Sequence, residues 1–489
     1  MTETDGSARA RWRRSPVAAM AGAASLALLL AGGAMSESPV YAGTAAGSSG
    51  AEPAGTTQTG QQGFYSTKKP YEQLGGPEDY EQPPAGFEPV FVQHVARHGS
   101  RLLSSRKYDD LTLQLWEAAR GEQALTPLGA RLGGEVRRLM RLHERLGYGN
   151  LSELGAQEHE EMAQRVYERL PGLFEHALDH GDRIGIVTSG KDRAVDSGVN
   201  FADGLVKADP ALAEIIDEPV ADEDVLYFHK SDANQDYQDY KDNDPRLLAV
   251  LDEVAAEPQI HAAARRMLER LYTVEFVDRL EAGEFDFVDG GKGETHLNDI
   301  ASAADYLYNL YIIAPNIAAE GNWRFDQYVT REDAETMAYF ADAQQFYEKG
   351  PAFAGDDITY RMADVLLDDF FASIEDRTSG DGDHAAVFRF AHAEQIMPFA
   401  ALIELPGSTQ EMPEGELFTY ENNPWRGDQV SPMGANIQWD VFADADGEHL
   451  VRMLYNEEEV AFRVGCEPYT DGSAFYDVAE LKRCLGDDR

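Results

Sequence analysis

Cysteine is almost missing from this 489-residue chain: only Cys466 and Cys484 occur, both near the C-terminus. Two thiols at that spacing supply neither a four-ligand zinc site nor an iron–sulfur cluster. Positive charge is scarce as well. Lys and Arg total 42 against 87 Asp and Glu, a formal net charge of −45. So acidic a surface repels nucleic acid, which is excluded as a partner. Beyond the N-terminus no apolar run is long enough to cross a bilayer, so no stable membrane span is expected in the mature chain. Hydrophobic residues still make up 43% of the sequence, enough for a sizeable core. The length suits two domains, or one large domain carrying an insertion.

What is present begins with a secretory signal over residues 1–42. Arg9, Arg11, Arg13 and Arg14 form a basic start, residues 18–31 are apolar, and Val40-Tyr41-Ala42 suits a signal peptidase. That segment carries four arginines against three acids, so its removal leaves −46. Residues 43–63, rich in Gly, Ser, Thr, Ala and Gln, read as a flexible leader. The expected mature protein is therefore secreted. In an exported protein, Cys466 and Cys484 close a loop of a size that favours a disulfide over a redox site.

Three segments carry chemistry. The first is Arg97-His98-Gly99-Ser100-Arg101, directly after the apolar run Pro89-Val90-Phe91-Val92. Guanidinium forks match phosphate oxygens, and an imidazole can attack phosphorus. Gly99 lets the backbone approach a bound anion, and a helix opening near Leu102 would add its free N–H groups. The second runs from Ile184 to Arg193, a short β-branched stretch ending in Thr188-Ser189-Gly190 before a helical pattern. Arg193 and Lys191 thus fall at a strand-to-helix junction, where α/β sheets place ligands. The third is Val387-Phe388-Arg389-Phe390-Ala391-His392-Ala393-Glu394, again strand-like before an apolar stretch.

On these segments the chain resembles the histidine phosphatase superfamily, in its acid-phosphatase and phytase branch, and within it the multiple inositol polyphosphate phosphatases. Arg97 to Arg101 match the Arg-His-Gly-x-Arg signature, and His392-Ala393-Glu394 match the His-Ala-Glu variant found where many phytases carry His-Asp. Residues 65–68, 188–205, 338–350 and 453–457 are similar as well, so the likeness runs from about Phe64 to the C-terminus. It implies a Rossmann-like α/β core sheet flanked by helices, with a mostly α-helical inserted domain. It also implies a phosphomonoesterase that needs neither metal nor cofactor and acts on inositol polyphosphates such as phytate. His98 is then the nucleophile that becomes phosphohistidine, and Glu394 is the proton donor. Arg97, Arg101, Arg193 and His392 bind the phosphoryl group. Side-chain chemistry supports the same roles, because loss of an alkoxide is slow without a proton. Glu394 would need a raised pKa to hold that proton near neutrality, or else an acidic working pH.

A polyanionic substrate and a polyanionic protein require a local positive island. Lys191, Arg106 and Lys107 are the further cations near the motifs and candidate substrate ligands. Salt would screen the remaining repulsion. The core is expected to assemble from residues 64–200 and 384–489, including helices over 128–146 and 158–180 and a strand over 450–454. Residues 201–383 form the helical cap, with apolar spacing over 247–280 and 333–346. Three other readings remain: a broad-specificity acid phosphatase, a phosphoglycerate-type phosphatase, and a phosphate-binding protein without turnover. Pure binding needs neither His98 nor Glu394. A metallohydrolase built on His94 and His98 fails because their spacing suits a helix while the run reads as strand. Asp381-Gly382-Asp383 lacks the remaining ligands of a calcium loop.

Overall fold

The segment Val90 to Ala96 is β-branched and apolar at most positions, and it is buried on both faces. Such a strand belongs in the middle of a sheet covered by layers on either side. In the computed structural model, which describes residues 63–486 except 294 and 381, it becomes β1 (Glu88–Arg97). The other strands of its sheet are β2 (Arg183–Thr188), β3 (Val220–Ala221), β4 (His384–Ala391), β5 (Asn436–Ala443), β6 (His449–Tyr455), β7 (Glu458–Val460) and β8 (Phe475–Asp477). They lie in the order β8-β6-β5-β1-β4-β2-β3, with β7 added on β6. From β1 to β3 the pairings are parallel; from β1 to β8 they are antiparallel. The fold is α/β, a central sheet flanked by helices.

Alternation along β1 divides the core. Phe91 and Val95 face one apolar cluster, whereas Val92 and Ala96 face the other. The second cluster is closed by α3 (Glu153–Arg169), α4 (Pro171–His180) and α5 (Asp192–Ala208). The region expected as one helix over 158–180 is two, because Pro171 starts a new helix and forces Leu170 out of helical geometry (φ −126°, ψ 47°). On the opposite face α1 (Lys107–Gly121) and α2 (Gly129–Leu146) pack with α6 (Pro258–Glu269), α7 (Ile300–Ile313), α8 (Arg331–Lys349), α9 (Asp364–Ser379) and α10 (Ala393–Leu402). Residues 201–383 give the main sheet only the two-residue β3, and are otherwise helical apart from a small separate hairpin. The helical layer also recruits α1, which packs on α7.

No helix opens near Leu102. Arg101 bridges antiparallel to Leu151, Leu102 N–H donates to the Asn150 carbonyl at 3.0 Å, and Ser152 N–H donates to the Ser100 carbonyl at 2.9 Å. These ties hold Arg101 and Leu102 against residues 150–152, and the chain then bends until α1 starts at Lys107. The expected strand over 450–454 is β6, and Cys466 and Cys484 form a disulfide (Cα–Cα 5.2 Å). The signal and leader segments fall outside the described residues. Among the described residues no helix is long and apolar enough to cross a membrane.

Candidate active site

Three neighbouring parallel strands, β1, β4 and β2, end on one edge of the sheet, the edge where α/β folds bind ligands. Arg97 pairs with Ala391 and Thr188 with Phe390, so the three motifs leave their strands side by side. His98 N–H donates to the Ala391 carbonyl at 2.9 Å, and Ser189 N–H to the Phe390 carbonyl at 3.0 Å. The His98 and His392 rings lie 5.5 Å apart between centroids.

The His98 ring is buried, with Nδ1 2.9 Å from the Gly99 carbonyl oxygen. A carbonyl only accepts, so Nδ1 carries the proton and Nε2 keeps its lone pair. Burial holds the imidazole neutral, its pKa well below the ordinary value, and Arg193, Arg97 and Arg101 push it the same way. The loop that aims the ring is braced from beneath. Glu158 accepts from Ser100 N at 2.6 Å, from Ser100 Oγ at 2.7 Å and from Tyr71 N at 2.9 Å. Ser197 Oγ accepts from Gly99 N at 3.2 Å. A Cβ on Gly155 would stand 2.1 Å from the Ser100 carbonyl oxygen, and one on Gly99 2.5 Å from the Gly155 carbonyl oxygen. Both glycines are there because two backbones nearly touch.

Three guanidiniums crowd the cavity. Arg97 donates to the Thr67 and Ser431 carbonyls, both at 2.6 Å, which fixes its fork. Burial first, then Arg101, depresses the Arg97 pKa to about 9; burial and Arg193 depress Arg101 to about 10. Like charges packed this closely favour an anion between them. Arg193, in the first turn of α5, has a buried Nε with no hydrogen bond among the described residues. His392 meets Ser189 Oγ through Nε2 at 2.8 Å. Its pKa is well below the ordinary value, through burial and then Arg193.

Glu394 stands in the first turn of α10, and Pro398, four residues on, cannot donate to its carbonyl. Its Oε1 is 3.1 Å from Lys349 Nζ. Burial alone would raise the carboxyl pKa, but Lys349, His229 and His392 outweigh burial and hold it well below the usual carboxylate range. A raised pKa is therefore not a property of Glu394 beside Lys349, contrary to the simplest requirement for an acid.

His98, Arg97, Arg101, Arg193 and Glu394 line a cavity of about 290 Å³, while His392, behind them, is not among its lining residues. Five basic side chains line it (Lys68, Arg97, Arg101, Arg193, Lys349) against two carboxylates, Asp305 and Glu394. That is the positive island expected of an acidic protein with an anionic substrate. Burial, and then Arg97, Arg101 and Lys349, push the Lys68 ammonium pKa well below its ordinary value. Lys68 and Lys349 went unassigned in the sequence, although each sits inside a stretch that resembles the family. The three further cations named from the sequence are not among the lining residues. Lys191 pairs with Glu223 at 3.2 Å and covers the Tyr227 ring at 4.3 Å. Arg106 reaches Asp110 and Glu144, and Lys107 lies over the Tyr108 ring. His94 is a core residue, its ring surrounded by Phe201, Phe388 and Phe390. Among the described residues no cluster of His, Cys, Asp and Glu is arranged to hold a metal ion.

A neutral histidine ringed by arginines at the carboxyl edge of this sheet defines a histidine-type phosphatase. Residues 90–456 match the family profile of the histidine phosphatase superfamily (branch 2), and the chain belongs to that family. It is 35% identical to the multiple inositol polyphosphate phosphatase of Bifidobacterium longum, solved in complex with inositol hexasulfate. The match covers 87% of this chain and 98% of that one, with a TM-score of 0.83. Human multiple inositol polyphosphate phosphatase 1 is 22% identical over 425 residues, 81% of each chain. The phytase of D. castellii shares the fold, with a TM-score of 0.62 at 15% identity over 87% of this chain and 84% of that one.

Proposed function

We propose that this chain is an exported, metal-independent phosphomonoesterase that hydrolyses inositol polyphosphates such as phytate through a phosphohistidine at His98. The observation that carries the reading is the cavity itself: three arginines and two lysines line it together with a neutral imidazole whose Nδ1 is engaged by the Gly99 carbonyl, which leaves Nε2 to act. Arg97, Arg101, Arg193 and His392 would hold the non-bridging oxygens of one phosphate. His98 Nε2 then attacks phosphorus in line, the bond to the ester oxygen breaks, and Glu394 gives that oxygen a proton. Water, deprotonated by Glu394, hydrolyses the phosphohistidine and restores the site. The guanidiniums supply the charge stabilisation that a metal gives elsewhere, which is why none is proposed. Lys68 and Lys349 supply positive charge beyond the reacting phosphate, as a polyphosphate needs, and the Bifidobacterium longum relative's complex with inositol hexasulfate supports the substrate class. Residues 201–383 are proposed as the cap over this cavity, and 1–42 as the export signal; the disulfide suits an oxidising compartment.

Phosphate release from phytate by the mature protein, with EDTA present, tests the reading against His98→Ala. Release should survive EDTA and fall by at least about 10⁴-fold in the variant. Activity retained by the variant would remove His98 as nucleophile. Loss in EDTA would remove metal independence.

A further inference from the structure

Lys349 and Glu394 pose a contradiction. The carboxyl given the proton-donor role is gripped by a cation that keeps it ionised. Lys349 closes α8 with its side chain only 7% exposed, and Nζ lies 3.1 Å from Glu394 Oε1 and 3.0 Å from Gln345 Oε1. Glu348 is its weaker second counter-charge, at 3.8 Å. Yet Lys349 also lines the cavity, so a ligand anion can reach it.

Resting on the phosphomonoesterase reading, we propose that Lys349 is shared between the acid and the substrate. Paired with Glu394, it locks that group as a carboxylate. A second phosphate group of a polyphosphorylated substrate draws it away and frees Glu394 to take up the proton that it then gives to the leaving group.

The charges around Glu394 favour such an exchange. His229, His392, Arg97 and Arg193 also act on the carboxyl and on the groups beside it. His229 Nδ1 is occupied by Gln395 at 3.0 Å, and Arg97 is committed to backbone carbonyls. The ammonium of Lys349, on a flexible stem, is the contact an incoming anion can redirect. A phosphate carries about −1.5 to −2 charge near neutral pH, so it outbids a single carboxylate for the cation. The same incoming charge disfavours an ionised Glu394, and a monoprotonated phosphate, whose second ionisation lies near about pH 6, can bring the proton with it. Glu394 passes that proton to the ester oxygen as the His98 Nε2–P bond forms and the P–O bond breaks. The alcohol leaves neutral. A monoester with one phosphate fills only the arginine site, leaves Lys349 on Glu394, and reacts slowly unless its leaving group needs no proton.

The test compares wild type, Lys349→Met and Lys349→Arg on phytate, glycerol phosphate and 4-nitrophenyl phosphate across pH. In Lys349→Met the falling limb of the glycerol phosphate profile should move up by about one pH unit or more, because the acid keeps its proton longer. The preference in kcat/KM for phytate over glycerol phosphate should shrink at least about ten-fold, and glycerol phosphate should respond to the variant more than 4-nitrophenyl phosphate does. Lys349→Arg, which keeps the charge, should stay close to wild type. An unmoved limb with parallel losses on all three substrates would overturn the inference, since a mere structural prop behaves that way. A wild type inert on phytate but active on the monoesters would instead overturn the substrate reading. The glycerol phosphate limb would then decide alone whether Lys349 locks Glu394.

Discussion

Asp305 is the least expected side chain in the cavity, a carboxyl on the wall of a pocket built for anions. Burial pushes its pKa up to about 6, while Lys107, Lys68 and the Asn309 amide pull the other way. Below that value it is neutral and leaves the pocket one charge more positive; above it, its charge opposes a substrate phosphate. Asp305→Asn should therefore bind phytate better than wild type at about pH 7.5 and equally well at about pH 5. The gap in KM at the higher pH should be roughly five-fold, matching about 1 kcal/mol of repulsion at a partly solvated site. Because both proteins see the same titrating substrate, the ratio of their KM values isolates the carboxyl. A ratio that ignores pH would place Asp305 away from the bound phosphates.

At the scale of elements, the contact between the His98 loop and the start of α3 is the tightest in the site. Gly155→Ala would put a methyl 2.1 Å from the Ser100 carbonyl oxygen, which forces the loop to move. A displacement near 1 Å of a reacting group costs about 10²-fold, so kcat should fall on that order. Stability should drop by about 1–3 kcal/mol, visible as a lower melting temperature. Unchanged kcat with a lowered melting temperature would show that the loop is aimed by Glu158 rather than by this packing. The elements carrying His98, Arg193, His392 and Glu394 were legible in the sequence because each follows a short β-branched or aromatic run. Polar residues just past such a run fall at a sheet edge. Glu158 was not legible: it is one of 87 acids, in a helix with many others, and only the folded chain buries it under Ser100. Lys349 was hidden similarly, at the end of a long helix whose neighbours set its direction. Lys191 misled for a local reason. It precedes the first turn of α5 in an extended conformation (φ −88°, ψ 137°), so its side chain leaves in another direction from that of Arg193 and meets Glu223 and Tyr227.

The net charge of −45 over the whole sequence contrasts with a pocket lined by five basic side chains and two carboxylates. The approach of phytate is thus opposed at long range and favoured only at the mouth. Salt at about 0.1 M shortens electrostatic reach to about 10 Å, which removes the opposition before it weakens contacts inside the cavity. kcat/KM on phytate should rise several-fold from low to moderate ionic strength, and less on a singly phosphorylated substrate. A steady fall with salt would mean that the pocket's attraction extends beyond the protein's repulsion.

The position of β1 bears on when this protein can act. Its hydrogen-bonding neighbours, β4 and β5, both come from the last part of the chain, and the backbone of His98 is pinned to Ala391. A growing polypeptide presents His98 early, yet has neither the partner strand that holds its backbone nor Glu394 until β4 and α10 are made. Pairing across so long a loop is also a slow step in folding. With the roles proposed for His98 and Glu394, activity toward phosphate esters is expected only after β4 has joined β1, late in the synthesis of the chain.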